Sequence, residues 1–320
     1  MPIRGRVPNE QPIKLPVGEI PVACHLNNQE AFSGLCTASD EYPGLLAVSR
    51  ACNSLAAAGT EPKAVQVFLF LPIHYEASSK AELLSQVKQA AGIFSVDITA
   101  IDIITNESVE CPTVKALASA KGNEALQPCI PCVAKPGDDL ILTKYAAFEA
   151  TLLLGKRFYS LFDPGQGSEL LCSTQKRLCD LNTVKESTLA LRYGVNAIIN
   201  LSEKGILGAV WDLYLQSGFG VEIESNYIPV LENTRIICSK LDLDPLKLPS
   251  TGSLLISTPN GESLLRTLHE DNIKATIIGR VVFGKKLCLL EAGGQIAISA
   301  PEAGGLPENG ERKRKGEKLQ

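Results

Sequence analysis

Cys129 and Cys132 are the residues whose type and spacing come nearest to metal or redox chemistry. A tetrahedral zinc site needs four ligands, and only two are grouped here. A redox pair is the other functional reading. Pro128 and Pro131 place both thiols in a proline-rich connector with no βαβ turn before it, so they read as structural or incidental. Cys24 and His25 adjoin like a thiolate and its base, but neighbours on a strand point to opposite faces. His74 and His269 read as surface histidines, one in a loop and one near a helix end. Gly165, Gly167 and Ser168 follow Asp163 and Pro164 as a glycine-rich turn into a helix, whose N-terminus is a place for phosphate. With no Lys-Ser after the glycines, a plain loop with an N-cap is the expectation.

The chain that must position such groups has 320 residues, enough for two domains with their own cores. Hydrophobic residues make up 45% and charged residues 21%, which excludes disorder of the whole chain. The net charge is -4, and five basic residues crowd the last nine positions, so the body presents no basic face for nucleic acid. The most apolar run, residues 65–71, is too short to cross a bilayer, and residues 1–20 carry charged side chains (Arg4, Arg6, Glu10 and Lys14 among them) and no apolar core of a secretory signal. A cytoplasmic protein without membrane or nucleic-acid partners is expected. Its ten cysteines are then reduced thiols, several of them (Cys24, Cys36, Cys52, Cys238, Cys288) beside apolar residues where Cys acts as a small hydrophobe.

Strand-length apolar runs alternate with segments of helical period on both sides of the connector, which predicts an α/β (α+β) fold. The predicted organisation is an irregular arm at 1–20, an N-terminal domain at 21–125, a linker at 126–136, a C-terminal domain at 137–300 and a disordered basic tail at 301–320. In the first domain, helices are expected at 45–59 and from 78 to 91, and strands at 65–71, 96–104 and 113–120. The strand at 65–71 has no interleaved charge, so both its faces are expected to be covered. In the second, helices are expected at 145–154, 184–192, 206–217, 232–241 and 262–271. Strands are expected at 140–143, 197–200, 221–224, 253–257, 275–282, 287–291 and 295–299.

Several phrases carry a resemblance. They are Lys-Pro-Gly-Asp-Asp-Leu-Ile-Leu-Thr-Lys at 135–144, Gly-Ile-Leu-Gly-Ala-Val-Trp-Asp at 205–212, Leu-Asp-Pro-Leu at 243–246, Thr-Gly-Ser-Leu-Leu-Ile at 251–256 and Ile-Ile-Gly-Arg-Val at 277–281. The first half adds Ala-Cys-Asn-Ser-Leu-Ala-Ala-Ala-Gly-Thr-Glu-Pro at 51–62. The sequence resembles the aminoimidazole ribonucleotide synthase-related superfamily, most of all its clostridial-type hydrogenase maturation factor branch. The resemblance implies a two-domain synthase-like fold, with an N-terminal sheet that pairs across a homodimer and ATP in the cleft between protomers.

The family's Mg-ATP chemistry uses carboxylates, since Mg²⁺ on triphosphate wants hard oxygen ligands. The matching positions here have lost most of them. Gly18-Glu19-Ile20 keeps one carboxylate of an acidic loop, Thr37-Ala38 replaces a Thr-Asp pair with Asp40 two residues on, and Asn53-Ser54 replaces Asn-Asp. Thr105 and Asn106 end a strand that closes in Thr-Glu in relatives, and Ile199, Asn200, Leu201, Ser202, Glu203, Lys204, Gly205 replaces His-Asp-x-Thr-Glu-Gly-Gly. The resemblance therefore implies a degenerate site and a non-catalytic or altered-ligand homologue, partnered by its own copy and by an intact paralogue or another maturation protein. No cofactor is predicted for that reading. The alternative is an active ATP-dependent ligase or dehydratase of purine biosynthesis or hydrogenase maturation type. Glu19, Asp40, Asn53, Thr105, Asn106, Asn200 and Glu203 would then share ATP and Mg²⁺. Maturation relatives carry a terminal Cys as group carrier, where this sequence ends Lys318-Leu319-Gln320.

Overall fold

The computed structural model describes residues 24–26, 29–37, 41–120, 133–300 and 306. The positions Gly18, Glu19, Ile20, Asp40, Cys129 and Cys132, the arm at 1–20 and nearly all of the tail lie outside the described residues.

Twelve strands among the described residues form two mixed sheets flanked by helices. The first sheet holds β1 (Cys24–Leu26), β2 (Gln29–Thr37), β3 (Ala64–Leu71), β4 (Asp97–Thr105) and β5 (Thr113–Ser119), in the order β1-β2-β5-β3-β4. Only β3 and β4 run parallel, and the connection between them is the helix α2 (Ala77–Phe94). The first helix, α1 (Pro43–Ala57), is buried at every position but Ser54. A helix apolar on nearly all sides has to be enclosed, and α1 lies between the sheet, α2 and elements from the second half of the chain. Its approach to α2 depends on Gly44, whose amide donates to Gln86 Oε1 at 3.1 Å. A Cβ at Gly44 would stand 2.8 Å from the Leu83 carbonyl oxygen.

Strand β3 departs from expectation. Val65, Val67, Leu69 and Leu71 are at most 1% exposed, while Gln66, Phe68 and Phe70 on the opposite face are only half-buried. The helices cover one face and leave the other partly open, so the apolar run marks a half-covered strand in the middle of a sheet. The hairpin strand β2 was hidden in the sequence by Ser33-Gly34 in its middle, which breaks the β-forming pattern.

The second sheet holds β6 (Asp139–Thr143), β7 (Ala197–Asn200), β8 (Gly220–Glu224), β9 (Leu254–Thr258), β10 (Ala275–Val282), β11 (Leu287–Glu291) and β12 (Gly294–Ala297), in the order β12-β11-β8-β10-β6-β9-β7. Its helices are α3 (Phe148–Arg157), α4 (Pro164–Gln175), α5 (Val184–Tyr193), α6 (Gly205–Ser217), α7 (Glu232–Leu241) and α8 (Gly261–Glu270).

Two local expectations fail for identifiable reasons. Helix α3 begins at Phe148 and not at 145, because Lys144 (φ 52°) and Ala147 (φ 57°) are left-handed and the intervening Ala146 bonds to Pro229. The segment at 165–168 is not the plain loop expected there. Gly165, Gly167 and Ser168 lie inside α4, and Gly167 gives room for the Tyr159 ring, 2.9 Å from where a Cβ would stand.

Candidate functional site

The polar residues of α1 set the site. Arg50 and Asn53 are one helical turn apart, so they share a face, and both are buried. Such groups must find partners inside the protein. Arg50 finds two carboxylates: one guanidinium nitrogen donates to Glu149 Oε1 at 2.6 Å and another to Glu203 Oε1 at 2.8 Å. Glu149 comes from the first turn of α3, where the left-handed Ala147 aims it inward, and its side chain is 1% exposed. Its second oxygen accepts the Thr251 amide at 3.1 Å. That amide is held by the turn at Gly252 (φ 103°), where a Cβ would lie 2.6 Å from the Asp180 carbonyl oxygen. Glu203, just ahead of α6, is half exposed.

Asn53 joins the same seam. Its Nδ2 donates to the Leu181 carbonyl at 2.8 Å, its Oδ1 accepts the Thr183 amide at 3.0 Å, and its own carbonyl accepts Asn200 Nδ2 at 3.0 Å. The structure thus brings together three of the expected site residues, Asn53, Asn200 and Glu203. Thr105 and Asn106 are not joined to them. Asn106 bonds locally, its amide to Leu71 and its Oδ1 from Ser108.

Two members of the seam, Arg50 and Glu149, were not legible in the sequence. Their partners lie 99 and 153 positions away, so no local spacing signals them. Both carboxylates of the seam already face a guanidinium, and the side-chain oxygen of Asn53 is taken by a backbone amide. Among the described residues there is no group of three or more His, Cys, Asp or Glu arranged to hold a metal ion. Two of the buried thiols are held protonated: burial raises Cys52, and burial with Asp244 nearby pushes Cys238 up to about 11. His74 is exposed, and His269 sits 3.0 Å from the Ala275 carbonyl at the end of α8.

Residues 135–289 match the family model described as AIR synthase related protein, C-terminal domain. The chain belongs to the AIR synthase-related superfamily. Among relatives of this superfamily member, a hydrogenase expression/formation protein of Methanocaldococcus jannaschii is 22% identical over 254 residues, covering 78% of this chain and 72% of the relative. The carbamoyl dehydratase HypE of Azotobacter vinelandii is 25% identical over 246 residues, 75% and 69% of the two chains. The fold matches crystal structures of Escherichia coli HypE (TM-score 0.69, 18% identity, 87% of each chain) and of a HypE–HypF complex (TM-score 0.68, 16% identity, 86% and 92%). It also matches the thiamine monophosphate kinase of Aquifex aeolicus, at TM-score 0.64 and 17% identity over 84% and 89% of the chains. In this superfamily member no helix among the described residues is long and apolar enough to cross a membrane.

Proposed function

We propose that this AIR synthase-related protein has a degenerate Mg-ATP site and serves as a non-catalytic or altered-ligand member of a maturation assembly. The observation that carries this reading is the Arg50 guanidinium between Glu149 and Glu203. A divalent cation gathers carboxylates and phosphate oxygens around one point. Here a fixed side chain with a single positive charge holds the two carboxylates, and the seam keeps a residual negative charge that disfavours a triphosphate.

A homodimer through the first sheet accords with its half-open face. Phe70 of β3 pairs with Ile104 of β4, which is 41% exposed, while Phe68 lies between Asp102 of β4 and Lys115 of β5. Light scattering is expected to give twice the 34.2 kDa of one chain. A HypE relative solved in complex with HypF supports a maturation protein as a second partner.

Thermal melts with Mg-ATP test the central claim. A competent site with a micromolar constant would add about 4 kcal/mol at millimolar ATP, several degrees in a protein of this size. No shift is expected. A clear shift that Glu203→Gln removes would instead show a competent ATP site and favour the alternative, an ATP-dependent ligase or dehydratase.

A further inference from the structure

A second polar region adjoins the Arg50 seam through residues 180–183 and differs from it in charge. A cavity of about 870 Å³ opens between the end of α2, the first turns of α5, the short turn Leu178–Leu181 and the turn joining α8 to β10. This is the volume of an ordinary small-molecule site. Its basic lining residues are Lys144, Arg177, Lys185, Arg192 and Lys274, and its acidic ones are Glu61, Asp180, Glu186 and Asp271.

The acids are taken. Asp180 pairs with Arg177 at 2.6 Å, Asp271 with Lys185 at 2.9 Å, Glu61 with Lys63 outside the cavity at 2.6 Å, and Glu186 with Lys144. Arg192 and Lys274 have no carboxylate partner among the described residues. Lys274 instead lies 5.6 Å from the centre of the Tyr145 ring, which Arg177 also approaches, at 4.9 Å.

The floor of the cavity is built and not merely solvated. Lys144, held in a left-handed conformation, is largely buried, donates to the Asn182 carbonyl at 2.8 Å and pairs with the still more buried Glu186. An ammonium has three donors, so one of its protons remains for a third acceptor. Burying such a pair is costly, and an apolar pair of like volume is often as stable. The first turn of α5 adds partial positive charge. The opposing negative end of α2 is already neutralised, since its last carbonyls accept Ser95, Val96 and Asn182 Nδ2. Phe94, Leu189 and Ile273 supply an apolar wall.

We propose that this cavity binds a small organic oxyanion, a phosphate ester or a polycarboxylate. Arg192 and Lys274 face the anionic group, Lys144 offers its remaining proton, and the apolar wall takes the carbon body. The inference is independent of the state of the Arg50 seam. Calorimetric titration of the full chain with inorganic pyrophosphate and with citrate tests it. Saturable one-to-one binding of at least one anion is expected, weakened at least tenfold in the double variant Arg192→Ser, Lys274→Ser and unchanged in Glu203→Gln. Pyrophosphate alone would assign a phosphate ester, and citrate alone a carboxylate. Absence of binding by both, or binding undiminished in the double variant and in Lys144→Met, overturns the proposal.

Discussion

The Arg50 seam and the Lys144 cavity use the same ingredients, buried ion pairs at places where several elements meet, with opposite results. In the seam one guanidinium meets two carboxylates, and the side chain of Asn53 spends both its donor and its acceptor on backbone. In the cavity each carboxylate has a cation of its own, and two cations are left over. Charged residues in a cleft therefore do not by themselves mark a binding site. What separates the two regions is whether the protein has already answered its own charges. On the reading proposed here, the seam belongs to folding and the cavity is open to a ligand.

The largest expected effect comes from breaking the seam at its driest point. Glu149→Ala leaves the Arg50 guanidinium buried beside one half-exposed carboxylate and should destabilise by about 3–5 kcal/mol in urea unfolding. Asn53→Ala removes two hydrogen bonds to backbone and leaves a buried amide and a buried carbonyl unanswered, for about 2 kcal/mol by the same measurement. Glu203→Gln touches the wet side of the network and should cost at most about 1 kcal/mol. The double variant Arg192→Ser, Lys274→Ser should stay within about 0.5 kcal/mol of the parent in melts without ligand. If that last variant were as damaging as Glu149→Ala, the distinction between the two regions would be lost.

Most of the elements were legible from their patterning, as where the buried positions of β3 and β5 alternate. What periodicity could not supply were positions where the backbone turns left-handed without a glycine. Residues 145–147 look like the start of a helix in the sequence, and the left-handed Lys144 and Ala147 delay α3 by three residues. The opposite error arose at 165–168, where glycines suggesting a loop lie inside a helix and Gly167 serves close packing against Tyr159. Of the seam, the resemblance singled out Asn53, Asn200 and Glu203, but a lone Arg50 in an apolar helix carries no mark of its distant partners. The cavity went unseen for a similar reason. Its walls come from α2, α5 and two turns, and no phrase of the sequence contains more than a part of it.

The strand order of the second sheet also governs how the chain comes together in time. Strand β6 is the first of its sheet to be made and lies inside it, paired to β9 through Ile141 and Ile256 and to β10 through Ile141 and Ile277. Both neighbours follow more than a hundred residues later in the chain. A ribosome adding about 5–20 residues per second leaves β6 without either neighbour for on the order of ten seconds. Such distant pairing slows folding from the denatured state as well, since the loop must close before any contact rewards it. The apolar face of β6 is therefore a transient hazard in every newly made chain, at a stage when Arg50 has been synthesised and neither of its carboxylates has yet been brought to it.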